Sequence, residues 1–199
     1  TAGVTVFASL RNREALDVNA DGYSEMPQLT GVSVGLSGFL KISPHQTLET
    51  SLWHIQEERR GGNALDSRPD QADQAEYRLQ NSDIGQLTYT WNSRSRKSSL
   101  QLYSGGQLTR RTHYTGIDHA DGWGQTRNLT ANSGLQFNRR LRLSSLGKME
   151  LNMGAEHTVD DVYDAIPAYN YLIDQFVQQW GFFVQSDWEI SKRWTVLPG

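Results

Sequence analysis

Apolar and polar residues alternate with a period of two over most of the chain. Val4, Val6, Ala8 and Leu10 are interleaved with Thr5, Ser9 and Arg11, and Val32, Val34, Leu36, Leu40 and Ile42 with Ser33, Gly35, Ser37 and Lys41. The rhythm returns in Leu87, Tyr89 and Trp91, in Leu100 and Leu102, in Leu129, Ala131, Leu135 and Phe137, and in Met149, Leu151, Met153 and Ala155. The clearest run sets Phe176, Trp180, Phe182, Val184, Trp188 and Ile190 against Gln179, Gly181, Gln185, Asp187 and Glu189. Successive side chains of a strand point to opposite faces, so each run predicts a strand with one greasy and one wet face.

The connections alternate in length. Short turns are predicted at Ser43-Pro44-His45, at Asn92 to Lys97, at Arg139 to Gly147 and at Ser191-Lys192-Arg193. Long polar loops are predicted at Asn12 to Gln28, Glu57 to Gln74, Arg110 to Gly122 and Glu156 to Asn170. About nine strands fit, each of roughly 10–14 residues, longer than the ~5–6 of globular strands. Long loops on one side and short turns on the other match an outer-membrane barrel. The wet faces read as lacking the apolar residues that a second sheet would need. Trp53, Trp91, Trp123, Trp180, Trp188 and Trp194 read as lying near strand ends, where interfacial girdles form. The fold class expected is therefore all-β, an antiparallel up-and-down meander. A soluble sandwich or barrel is the alternative.

Composition changes this picture little. The mean hydropathy is negative and no apolar stretch approaches the ~20 residues of a membrane helix. A barrel strand, however, meets lipid with every second residue only, so its average stays low. The 199 residues with a net charge of −3 give no footing for nucleic acid. Cysteine is absent, which excludes a disulfide framework, a thiolate metal site and a cysteine nucleophile. No nucleophile-elbow or His-Glu-x-x-His pattern occurs, and the carboxylates fall mainly in polar stretches, so an enzyme is not expected.

Two blocks carry a family resemblance. The first runs from Val6 through Asn63 and contains Asp17-Val18-Asn19-Ala20-Asp21-Gly22-Tyr23-Ser24-Glu25-Met26-Pro27 and, after a strand, a turn and a strand, Glu57-Glu58-Arg59-Arg60-Gly61-Gly62-Asn63. The second is Gln178 to Gly199, with Ser186-Asp187-Trp188-Glu189-Ile190, a basic turn and Trp194-Thr195-Val196-Leu197-Pro198-Gly199. Together they resemble the barrel of TonB-dependent outer-membrane receptors of the Bacteroidetes type, with the cobalamin-receptor-like branch nearest and siderophore receptors neighbouring. The family's Arg-Tyr-Asp-like continuation of the last strand is missing. The resemblance implies that residues 1–199 are a single partial barrel region, about nine strands of roughly 22, without the plug domain. It implies uptake of a scarce bulky nutrient such as cobalamin or a ferric siderophore. The implied partners are a TonB complex acting through the plug, outer-membrane lipid and a surface lipoprotein. A partial barrel has two unpaired edges, so self-association or closure into a small sheet is expected. A passive porin-like barrel and a soluble carbohydrate-binding or adhesin sheet are the rival functions.

Candidate sites lie in the predicted loops. Asp17, Asn19, Asp21 and Gly22 have the one-three-five-six spacing of a calcium loop, with Glu25 ninth. The twelfth residue is Gln28 and no helices flank the segment, so a polar turn competes with Ca2+ binding. Arg59 and Arg60, followed by Gly61 and Gly62, suit a planar anion on a ligand or form a loop base. Tyr77, Tyr114, Trp123, Tyr169 and Tyr171 could stack on a corrin or catecholate ligand or form an ordinary loop surface. His113, Asp118, His119 and Asp121 could bind a transition metal or a haem-like ligand, or simply be solvated. Arg94, Arg96 and Lys97, like Arg139, Arg140 and Arg142, read as solvated short turns.

Overall fold

Among the described residues nine antiparallel strands follow one another in chain order and pair only with their sequence neighbours, giving a single open sheet. They are β1 (Ala2–Arg13), β2 (Ser24–Ser43), β3 (Gln46–Gly62), β4 (Gln74–Asn92), β5 (Ser98–Ile117), β6 (Trp123–Arg142), β7 (Lys148–Ile166), β8 (Tyr171–Ser191) and β9 (Trp194–Val196). The structure, a computed structural model, describes residues 1–117, 121–144, 147–191 and 193–199. β1 and β9 are not paired to each other, so of the two outcomes expected, self-association or closure into a small sheet, closure does not occur.

The strands are longer than the alternation predicts. β2 to β8 run 17 to 21 residues. The stretches expected as loops at 110–122 and 156–170 are mostly strand, and β2 and β3 reach well into those expected at 12–28 and 57–74. The physical reason is simple: backbone pairing needs no apolar face, and beyond the greasy stretches both faces carry polar residues, such as Thr112 and His113 or Asp160 and Asp161. Arg139, Arg140 and Arg142 are likewise strand residues, since β6 runs to Arg142 and β7 begins at Lys148. There Leu143 N–H donates to the Gly147 carbonyl at 2.9 Å, and Gly147 has φ +88°, which only glycine adopts freely. At Pro44-His45 the proline ring holds φ negative and excludes the primed hairpin turns; the ladder beside it shifts register between Lys41 and Ser43.

Register segregates the faces. Directly paired residues share a face, and the rows Leu10–Val32, Leu36–Leu52, Trp91–Leu100–Phe137–Met153–Val184 and Leu102–Leu135–Ala155–Phe182 all lie on the same side. This apolar face has no second layer. Val6 is 70% exposed and Phe182 77%. Among the described residues the only buried apolar ones are Leu29, Ala72, Ala75 and Tyr114. The accessible surface is 13411 Å2, whereas a compact monomer of 22.5 kDa exposes about 9,500 Å2.

The polar face is the more sheltered one, with Ser82, Thr88 and Thr109 buried, as on the inside of a curve. It is not free of large rings, contrary to expectation. Phe39, Trp53, Tyr103 and Phe183 lie there, each directly opposite a glycine: Gly3, Gly35, Gly134 and Gly154. A Cβ on any of these glycines would run into the facing ring. Phe7 packs on Trp53 from the other side of Gly35, at 5.4 Å between centroids. Trp53 and Trp180 are therefore mid-strand residues, one on each face, while Trp91, Trp123, Trp188 and Trp194 do lie near strand ends.

These slots predict that Gly134→Val destabilises the sheet by about 1–3 kcal/mol, because the new side chain meets Tyr103 and the Ala155 carbonyl. Gly181→Val, where nothing lies within 4 Å of an added Cβ, should change stability by less than about 0.5 kcal/mol. Urea unfolding of both variants checks this, and equal losses would dismiss the slots.

Candidate functional site

The long-loop end gathers most of the candidate residues, though not as the sequence suggests. Arg60, Tyr77, Tyr114 and Trp123 come together on the apolar side of β3 to β6, beyond the greasy band. Tyr77 and Tyr114 are register partners, as are Tyr114 and Trp123. Trp123 packs against Tyr77 at 5.8 Å and against Tyr114 at 5.3 Å. The 63–73 loop folds over them with Ala72 buried, and Tyr114 is 0% exposed. Arg60 donates to the carbonyls of Gly61, Asn63 (3.0 Å) and Ala64 (3.4 Å), so its fork clasps the start of that loop. Burial lowers its pKa from the ordinary arginine value. Burial, helped by a hydrogen bond to Glu58, pushes the Tyr77 hydroxyl up to about 12. The cluster is a small core that anchors a loop, with Tyr114 closed to any ligand.

Arg59 is elsewhere. Adjacent strand residues point to opposite faces, so Arg59 and Arg60 cannot grip one anion together. Arg59 lies on the polar face, where its Nε donates to Glu57 at 2.7 Å. Directly opposite is Arg78, whose other partner is His113. Arg111 is two residues along from His113 on the same face, and its Nε donates to Gln80 at 3.3 Å. Asp164 accepts from Thr126 at 2.8 Å and stands 4.0 Å from His113 Nε2. Burial lowers the His113 pKa; Asp164 opposes that and Arg111 and Arg78 add to it. Arg111 is lowered by burial and by Arg78, against Asp164. Sequence reading missed Arg78 and Arg111, which only strand register brings beside Arg59.

The calcium candidates form a self-contained turn. The Asp17 carboxylate accepts from the N–H groups of Ala20 (2.7 Å) and Gly22 (2.8 Å). Asn19 Oδ1 accepts from Asp21 N–H at 3.0 Å, Asp21 Oδ1 from Tyr23 N–H at 2.8 Å, and Glu25 from Val18 N–H at 2.8 Å. These oxygens hold the backbone, and among the described residues no group of three or more metal-ligating side chains converges. Asp118 and His119 lie outside the described residues, and His113 faces Asp164 within the sheet. Tyr169, in a 3-10 turn after β7, donates to the Thr115 carbonyl at 2.7 Å and so ties that turn to the end of β5.

One further feature was not foreseen. The apolar band ends at the long-loop side in a row of charges on the same face, across β3 to β7. His54 meets Asp83 at 2.7 Å, Arg110 meets Asp83 at 3.6 Å, and Arg127 meets Asp161 at 3.0 Å. Strand parity would have found this row had the strands been extended past Leu108 and Leu129.

No family model, curated protein or solved structure matches the chain.

Trp123→Ala should release the 63–73 loop without melting the sheet, read as faster amide exchange at Asn63 and Ala72 and unchanged exchange in β7. Uniform acceleration would contradict the anchoring role. His113, depressed in the folded state, contributes stability that is full above the ordinary value of 6.5 and is lost as pH falls through the lower folded value. Arg111→Gln should move its titration upward in an NMR pH series; an unmoved midpoint would show that Arg111 does not act on it.

Proposed function

We propose that this sheet is part of the wall of a large transmembrane β-barrel in a bacterial outer membrane. By the resemblance of its sequence, that barrel is a TonB-dependent receptor importing a scarce bulky nutrient such as cobalamin or a ferric siderophore. The role is capture and passage of a ligand, with no chemistry done on it.

The observation that carries the reading is the one-sided apolar band, continuous over β1 to β8 and covered by no protein. In β2 it runs from Val32 to Ile42, about 33 Å of strand, which at the usual tilt of about 40° is about 25 Å of height, the thickness of a barrel's lipid-facing belt. If half of the excess surface is apolar, exposing it to water forgoes about 50 kcal/mol, several times the stability of a domain. A soluble sandwich would fold such faces onto each other, and here there is one layer. The edges agree. β9 pairs with β8 over Trp188–Ser191 and Ser186 N–H donates to the Pro198 carbonyl. From Tyr171 to Gln185, among the described residues, no strand lies beside β8 on the side away from β7, which leaves a long open backbone edge. In lipid such groups need further strands beside them. The polar face then lines the lumen, and the long-loop end faces outward.

Single-tryptophan variants in vesicles containing tail-brominated lipid test the wall. Trp180, mid-band on the apolar face, should be strongly quenched, and Trp53, mid-strand on the polar face, should not be. Equal quenching, or a chain that stays out of the vesicles, would overturn the reading. The receptor assignment is checked separately by whether the gene encodes a plug domain upstream of Thr1.

A further inference from the structure

We infer that the polar face carries an oxyanion-binding site built by Arg59, Arg78 and Arg111 on β3, β4 and β5, near the long-loop end. Arg59 and Arg78 are direct cross-strand partners, and Arg78 lies diagonal to Arg111, because Arg78 pairs with His113 and Gln80 with Arg111. Direct partners have Cβ atoms about 5 Å apart, and like charges so placed repel. On the diagonal, burial first and then Arg78 lower the affinity of Arg111 for its proton, and Asp164 opposes them.

Each guanidinium has a carboxylate near it, Glu57 for Arg59, Glu76 for Arg78 and Asp164 for Arg111, and what the three leave over is N–H donors. Glu57 and Gln80 engage the Nε–H groups of Arg59 and Arg111, and those two bonds do not use the terminal amino groups of either fork. Glu76 stands 4.0 Å from Arg78 and is itself largely exposed. Asp164 accepts from Thr126 and also acts on Arg111, where it favours the cation. Arg11 and Arg13 lie on the same face at the same end, which extends the positive field toward β1. The Arg59 and Arg78 side chains are 46% and 40% exposed, so a ligand reaches them from the open polar side. Planar forks with several N–H donors match carboxylate or phosphate oxygens two at a time. The ligand class is a small molecule bearing carboxylate or phosphate groups. The site stands on geometry; that its occupant is transported cargo rests on the barrel reading above.

Calorimetric titration of the full chain in lipid vesicles at low salt, with citrate and separately with inorganic phosphate, tests the site and tells the two chemistries apart. At least one should bind, and Arg59→Gln, Arg78→Gln or Arg111→Gln should each weaken it about tenfold. Arg127→Gln, at similar height on the apolar face, should leave it unchanged. Failure of both probes to bind, wild-type affinity in the three variants, or an equal loss in Arg127→Gln would overturn the site. Repeating the titration with the variant that keeps only Trp180, in tail-brominated vesicles, distinguishes the failures: a quenched Trp180 with no anion bound removes the site and leaves the wall.

Discussion

Everything in this molecule depends on an uninterrupted cross-strand register. A slip of one residue would send every side chain of a strand to the other face. From β3 to β8 the ladders run without a shift, and irregularities are confined to the ends, between Ser24 and Gln28, Lys41 and Ser43, and Glu189 and Ser191. Because no second layer checks the alignment, the tight turns and the rows of paired side chains must fix it. The greasy band, the sheltered polar face and the arginine run are all readings of that one register.

The glycine–aromatic pairs supply a second level of definition. A flat sheet neither curves nor closes, and glycines with rings laid over them are one way to bend a sheet while keeping its register. Gly134 illustrates the coupling: the Tyr103 ring covers it, and the Tyr103 hydroxyl reaches on to Glu156 at 2.7 Å, so one contact spans β5, β6 and β7. Such links on the crowded side, with exposed apolar residues on the other, explain how a single layer holds its shape.

The strands were legible where one face had to be apolar, as from Val32 to Ile42 or Phe176 to Ile190, because only there does composition alternate. Past Leu108 and Leu129 the chain has polar residues on both sides, and the same ladder reads as loop. The candidate site was legible in part. Tyr77, Tyr114 and Trp123 were singled out as loop aromatics and do meet, but as register partners beneath a loop, which residue type cannot tell. Arg59 and Arg60 are neighbours in sequence and strangers in space. Arg59, Arg78 and Arg111 are far apart in sequence and adjacent in the sheet, a relation that only pairing creates.

The charged row that closes the band has a positional consequence. In the membrane wall proposed above it would act as a waterline. Sinking the wall by one pair of residues, about 6–7 Å along the strands, would draw Arg110 and Arg127 toward the hydrocarbon, where a charge costs up to about 2–4 kcal/mol at the midplane. Raising it by the same step would lift Leu108 and Leu129 into water. His54, Asp83 and Asp161 extend the mark over neighbouring strands, so the draught of such a wall would be set by side chains on the face away from the arginines.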